Sequence, residues 1–106
     1  MANMLLKVTI AATGTPQQIT KSLPSNNLGG NAGFDPPNIY VQQLIFQNQG
    51  DNDMHIGDVT TSSTNGLLLS GSGTANFGAF INYGTYLSDW WVVGTEGDVL
   101  MVLYIK

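Results

Sequence analysis

Acidic side chains concentrate in one polar stretch, where Asp51, Asp53 and Asp58 lie near the single histidine, His55. Such spacing resembles a calcium loop, in which oxygen ligands recur at alternate positions around a central glycine and before a bidentate glutamate. A loop that starts at Asp51 has histidine at its fifth position, isoleucine at its sixth and no closing glutamate. The pattern therefore favours a solvated turn. The chain has no cysteine, which excludes thiolate metal sites.

Nucleophilic catalysis is the second chemistry that these residue types allow. A Ser–His–Asp arrangement would combine His55 with Asp58 and with Ser62 or Ser63. No Gly-x-Ser-x-Gly nucleophile elbow accompanies these residues, and both serines lie in a polar turn. The sequence therefore predicts a non-enzymatic protein with no cofactor and no metal.

A cluster of aromatic residues between positions 83 and 91 offers a third kind of site: Tyr83, Tyr86, Trp90 and Trp91. Exposed rings beside Asn and Asp side chains are typical of sugar-binding sandwiches. Successive side chains of a strand point to opposite sides of the sheet, so the two tryptophans cannot share one platform. We expect one of them in the core, and glycan binding remains an alternative to structural packing.

Short apolar runs, separated by Gly, Asn, Pro and Asp, form the framework that carries these residues. They predict about eight antiparallel strands, and no long window shows helical spacing. The length suits one domain, 1–106. We expect an all-β fold, a single jelly-roll-like β-sandwich. In its first run Leu6, Val8 and Ile10 share the face that points inward.

Further strands follow from the same alternation and turn signals. The predicted elements are an edge strand within 17–23, a long strand at 39–48, its hairpin partner at 54–57, a short strand at 67–69, a weak strand within 75–81 and a closing hairpin at 90–105.

The closing hairpin is apolar on both faces, which is the most informative feature of the chain. A sandwich has one core and leaves its outer faces in water. Burying a large apolar side chain is worth about 1.5–3 kcal/mol, so the outward residues call for a cover. A second subunit is the expected cover, and a loop of the same chain is the alternative. The predicted interface residues of this hairpin are Trp90, Trp91, Leu100, Val102 and Tyr104.

The segment 24–38 is a long loop rich in Gly, Asn and Pro. Loops of this length are uncommon in compact domains and are often functional. Its two isolated hydrophobic residues, Leu28 and Phe34, are the remaining predicted interface residues. We expect them to dock on a neighbour, unless Phe34 covers its own sheet.

Charge excludes several classes of partner. With three lysines, no arginine and a net charge of −4, the chain cannot form the basic patch that nucleic acid requires.

No apolar run approaches the roughly 20 residues of a membrane-spanning helix. The first residues lack the basic region of a secretory signal, so we expect a protein made in the cytoplasm.

From Phe46 onward, the residues of the turns and of the strand cores form a pattern that is similar to that of a known group of proteins. It comprises Asn48-x-Gly50, the run 56–60, Thr64-Asn65-Gly66 with Leu67 and Leu69, and the run 91–95 followed by Gly97 and the run 99–103. This pattern, over about half of the chain, resembles small jelly-roll cement (decoration) proteins on the capsids of tailed bacteriophages, and also resembles phage tail and fibre components.

The resemblance implies a structural virion protein on the capsid surface, assembled in the host cytoplasm. Its implied partners are itself, as a dimer or trimer, and the major capsid protein. A tail or fibre module that binds a receptor or glycan is the alternative. The resemblance supplies no catalytic or ligand residues.

Overall fold

The computed structural model describes residues 3–20, 40–71 and 79–105, with side chains from residue 5 onward. These residues form ten β-strands and one turn of 3-10 helix, Leu87–Asp89. The all-β prediction is confirmed. The strands are β1 (Asn3–Thr9), β2 (Gln17–Gln18), β3 (Tyr40–Val41), β4 (Gln43–Asn48), β5 (Met54–Gly57), β6 (Leu67–Leu69), β7 (Ala79–Ile81), β8 (Thr85–Tyr86), β9 (Trp91–Val93) and β10 (Val99–Ile105).

Eight of these strands form two four-stranded antiparallel sheets. The first sheet has the order β1-β10-β4-β7, and the second has the order β2-β9-β5-β6. Strands β3 and β8 form a separate ladder in which Tyr40 pairs with Tyr86. All seven residues of β1 pair with β10, from Asn3 opposite Ile105 to Thr9 opposite Val99. The first sheet is therefore built around β10.

The inner faces of the two sheets share one hydrophobic core, as expected of a sandwich. Every second side chain of β4 and β10 is buried. The predicted inward face of the first run is confirmed, since Leu6, Val8 and Ile10 are at most 1% exposed. The other fully buried side chains of the two sheets are Leu44, Phe46, Leu100, Val102 and Tyr104 from the first sheet and Met54, Ile56, Leu69 and Val92 from the second. Ile19, Val41 and Leu87, which lie outside these eight strands, are fully buried as well.

The predicted closing hairpin is wrong, because its two arms lie in different sheets. Strand β9 pairs with β2 and β5, whereas β10 pairs with β1 and β4. Residues 94–98 cross between the sheets and are held against the end of β1. The amide of Ile10 donates to the carbonyl of Asp98 (2.9 Å), and that of Gly97 donates to the carbonyl of Ile10 (3.0 Å). Turn residues determine where the chain reverses, but they do not determine which sheet the next strand joins. A segment of five residues is long enough to cross the ~10 Å between two stacked sheets.

The predicted hairpin between 39–48 and 54–57 is wrong for the same reason, since β4 and β5 belong to different sheets. Asn48, only 2% exposed, holds this second crossing. Its Nδ2 donates to the carbonyl oxygens of Asn52 (2.8 Å) and Leu69 (2.9 Å), and its Oδ1 accepts from the amide of Gly50 (2.8 Å). The buried amide is therefore well bonded, as buried polar groups must be.

The other strand predictions are confirmed in part. Residues 67–69 form β6, which pairs with β5. Strand β2 lies at an edge of the second sheet, as predicted for 17–23, although the structure describes only its two-residue ladder. The run 39–48 divides at Gln42 into β3 and β4. The loop 24–38 lies outside the described residues.

Candidate functional site

Four of the predicted interface residues belong to the core, and their assignment to an interface is wrong. Leu100, Val102 and Tyr104 are 0% exposed and face the second sheet. Trp90 is 8% exposed, and its ring centroid lies 5.2 Å from that of Phe46. Because β10 is apolar on both sides, its pattern could not decide which side faces inward.

Trp91 keeps part of its surface accessible on the outer side of the second sheet, opposite Gln18. It lines a cleft of about 410 Å³ together with Ala11, Ala12 and Pro16. The tryptophans therefore point to opposite sides, as the sequence predicted. The last two predicted interface residues lie outside the described residues: Leu28 and Phe34.

A row of four apolar side chains crosses the outer face of the first sheet, and we call it the outer row. Leu5 pairs with Leu103, Leu103 with Ile45, and Ile45 with Phe80. Leu6 beside Leu5 is buried, and so are the side chains on both sides of Leu103 in β10 and of Ile45 in β4. These three side chains therefore point away from the core, and Phe80, which pairs with Ile45, lies on the same face. Leu5 is 58% and Phe80 is 48% exposed, while Leu103 and Ile45 are half-buried between them.

More apolar surface extends from the outer row along β10, where Val99, Met101 and Ile105 are half-buried on the same face. Among the described strand residues of this face, Lys7 carries the only charge. The sequence predicted an apolar outer side for the last strand but assigned it the wrong residues. Pairing between strands has no local signal in the sequence. It places β4 beside β10 and β7 beside β4, and this makes the apolar outer surface continuous.

A second cleft, of about 330 Å³, lies where the loops after β5 and β7 meet. Its lining includes Asp58, Tyr83, Asp89 and Trp90. Tyr83 is 60% exposed, whereas Trp90 is mostly buried and donates from Nε1 to Oγ1 of Thr85 (3.2 Å). We call it the aromatic–acidic cleft, since it combines a free ring face with two carboxylates.

The aromatic cluster predicted from the sequence is thus divided. Tyr83 and Trp90 line the aromatic–acidic cleft, whereas Trp91 lines the cleft on the second sheet. Tyr86 instead packs edge-on against Tyr40, with ring centroids 5.0 Å apart. One ring, that of Tyr83, is therefore accessible as a platform in this cleft.

His55 lines a third cleft, of about 290 Å³, together with Asp53 and Ser63. Within the described part of the chain, no hydrogen bond joins these three side chains, and Asp53 accepts from the amide of Gly71 (3.0 Å). Asp58, the predicted acid, is bonded to Thr60 instead. Asp53, His55 and Ser63 therefore do not form the hydrogen-bonded nucleophile–base pair that covalent catalysis requires.

Asp58 fixes its own loop. Its Oδ1 accepts from the backbone amide of Thr60 (2.8 Å) and from the Thr60 hydroxyl. The hydrogen bond from the hydroxyl, followed by that from the amide, lowers the pKa of this fully exposed carboxyl below its ordinary value of 3.8. The 58–66 segment is therefore an ordered polar turn, in which Asn65 also donates to the carbonyl of Thr60 (3.0 Å).

Within residues 3–20, 40–71 and 79–105, no three His, Asp or Glu side chains are grouped to hold a metal ion. The same residues contain no helix with the length and apolar character needed to cross a membrane. Comparison with protein-family models, curated proteins and solved structures gave no match to this chain.

Proposed function

We propose that this chain is a non-enzymatic structural protein of a phage particle, a cement protein that binds and stabilises the capsid shell. The outer row carries this proposal. A soluble monomer seldom exposes a contiguous apolar surface without a use for it, and this one extends across all four strands of a sheet. Such a surface suits protein–protein contact.

Strand order adds support. The orders β1-β10-β4-β7 and β2-β9-β5-β6 are what results when one long antiparallel ribbon is wound into two sheets. Jelly rolls are wound in this way, and they recur in viral capsid proteins. This agrees with the sequence resemblance to phage cement proteins over residues 46–103, on which the virion location of the proposal rests.

Mass action explains how so small a protein stabilises a shell. A partner that binds the assembled shell, and not its separated subunits, favours the assembled state. Repeated copies on a symmetric surface turn a weak single contact into strong overall attachment. A chain with few charges also has little self-repulsion to oppose dense packing.

Particles of the encoding phage, made with and without this gene, test the proposal. We expect particles that lack the protein to release their genome at lower temperature, and purified protein to restore the loss. Electron cryomicroscopy of the restored particles should show the added density on the capsid shell. Density on the tail, or equal heat resistance with and without the protein, would overturn the assignment.

The aromatic–acidic cleft favours one other function, receptor or glycan binding by a tail or fibre module. Its exposed Tyr83 ring can stack on the apolar face of a sugar while Asp58 and Asp89 accept hydrogen bonds from hydroxyl groups. A glycan array distinguishes the two functions. Hits that disappear in Tyr83→Ala, but persist in the control Leu68→Ala on the second sheet, would favour this alternative.

A further inference from the structure

We propose that Asn65 is a site of spontaneous covalent modification, at which the side-chain amide becomes a carboxylate through a cyclic imide formed with the backbone of Gly66. These residues form the only Asn-Gly dipeptide in the sequence, and both are exposed in the turn between β5 and β6. Asparagine is among the thermolabile residues of proteins. The inference goes beyond the proposed function, because the reaction needs no capsid and no other partner.

The reaction requires water and two groups that are adjacent along the chain. The backbone nitrogen of Gly66 loses its proton to solvent and attacks Cγ of Asn65. The new N–Cγ bond closes the imide ring, while the Cγ–Nδ2 bond breaks and the nitrogen takes a proton from water and leaves as ammonia. Water then adds to one of the two ring carbonyls. The ring opens to aspartate or to isoaspartate, in which the backbone runs through the side chain, and no oxidant or reductant is involved.

Gly66 is suited to act as the nucleophile. Within the described part of the chain its amide donates no hydrogen bond, and it has no side chain to hinder the approach to Cγ. The fold also requires a glycine here, since its φ is 137° and a Cβ would lie 2.8 Å from the carbonyl oxygen of Ile56. A bulkier residue that would slow the reaction therefore cannot replace Gly66 without strain.

Hydrogen bonds restrain the Asn65 side chain in the native turn. Its Nδ2 donates to the carbonyl of Thr60 (3.0 Å). Thr60 is itself held by Asp58, which accepts from the Thr60 amide (2.8 Å) and from its hydroxyl. Ring closure brings Cγ onto the Gly66 nitrogen, so the side chain must first leave Thr60 through a local opening of the turn. Asp58 is thus a positioning residue that limits how often the reaction can begin.

The product cannot restore the native turn. A carboxylate at position 65 has no N–H to donate, so an oxygen would face the Thr60 carbonyl where Nδ2 now lies. The isoaspartate form also lengthens the backbone by a methylene group, which would disrupt the bridge between Ser62 and Asn65. The turn joins Asp58 to Leu67, and both line the aromatic–acidic cleft. Modification therefore adds a charge beside this cleft and loosens one of its walls.

Incubation of the purified protein at mildly alkaline pH, followed by peptide mass spectrometry, tests the inference. Replacement of the amide by a carboxyl should appear at Asn65 before any other asparagine, since Asn65 alone precedes a glycine. Isoaspartyl methyltransferase should then label the aged protein. Asn65→Gln should lose both signals, because its imide ring would be larger and forms more slowly. Wild-type protein denatured in urea should react faster than the native protein.

Asp58→Ala tests the restraint. Removing the carboxylate that holds Thr60 should speed the modification of Asn65 about 2- to 5-fold, the factor supplied by one ordinary hydrogen bond. Asp51→Ala is the matched control, since Asp51 is exposed in another turn and the change in charge is the same. Circular dichroism checks that both variants remain folded.

Two outcomes would overturn these assignments. Native protein that keeps an intact Asn65 after the denatured protein has reacted would exclude the modification site. Equal rates of modification in Asp58→Ala and Asp51→Ala would exclude the positioning role of Asp58.

Discussion

Replacing Asn48 with alanine tests whether the corner between the two sheets depends on one buried amide. The side chain makes three hydrogen bonds of 2.8, 2.9 and 2.8 Å, each to a backbone group of a different residue. A net contribution of about 1 kcal/mol per bond predicts a loss of about 3 kcal/mol in the free energy of unfolding. Domains of this size have about 5–15 kcal/mol in all, so we expect a folded but much weakened protein.

Urea denaturation followed by tryptophan fluorescence measures the loss, because Trp90 packs against Phe46 in the core. With a slope of about 2 kcal/mol per molar urea, the midpoint should fall by about 1.5 M. Gln47→Ala is the control, since Gln47 is on the outer face of the same strand and its hydrogen bond with Gln49 is exposed. It should change stability by less than about 0.5 kcal/mol. A loss below about 1 kcal/mol for Asn48→Ala would refute the reasoning.

Two further predictions concern a glycine and a carboxylate. A Cβ at Gly71 would lie 2.5 Å from backbone atoms of Asn52, so Gly71→Ala should lower the free energy of unfolding by about 2 kcal/mol or more. Gly14 has a φ of 74° and open space around it, so Gly14→Ala should lower it by only about 1 kcal/mol. Equal losses for the two variants in thermal unfolding would contradict this prediction. Because the pKa of Asp58 is lowered below 3.8, its carboxyl should still be more than half ionised at pH 3.8, and its bonds to Thr60 should be lost only on further acidification. The Thr60 amide signal in NMR should follow that titration below pH 3.8 and become flat in Asp58→Asn, and a transition above 3.8 would disprove the assignment.

Alternation along single strands was predictable from the sequence because it is local. The first run shows this, since Lys7 marks one face as outward and Leu6 and Val8 follow on the other. In β10 every residue is apolar, and the pattern is equally consistent with either face inward. The structure selects Leu100, Val102 and Tyr104 for the core because β1 and β4 align their own inward residues with them.

Pairing between strands was not predictable, and the candidate surface depends on it. Turn residues at 94–98 and 49–53 correctly marked the places where the chain reverses. Whether such a turn joins neighbours in one sheet or crosses to the other depends on contacts distant in sequence. The outer row arises only when Phe80, Ile45, Leu103 and Leu5 come into register from four separate segments. No single segment carries a signal for it.

The central place of β10 also has a consequence for how the protein reaches its native state. Strand β10 fills the gap between β1 and β4, and it joins β1 to a segment nearly the whole chain away. Closing so long a loop carries a high entropic cost, and proteins dominated by such contacts fold in milliseconds to seconds. On a ribosome, β1 and β4 would emerge long before the strand that joins them. The growing chain would meanwhile present unpaired edges and uncovered apolar faces, the state in which aggregation competes most strongly with folding.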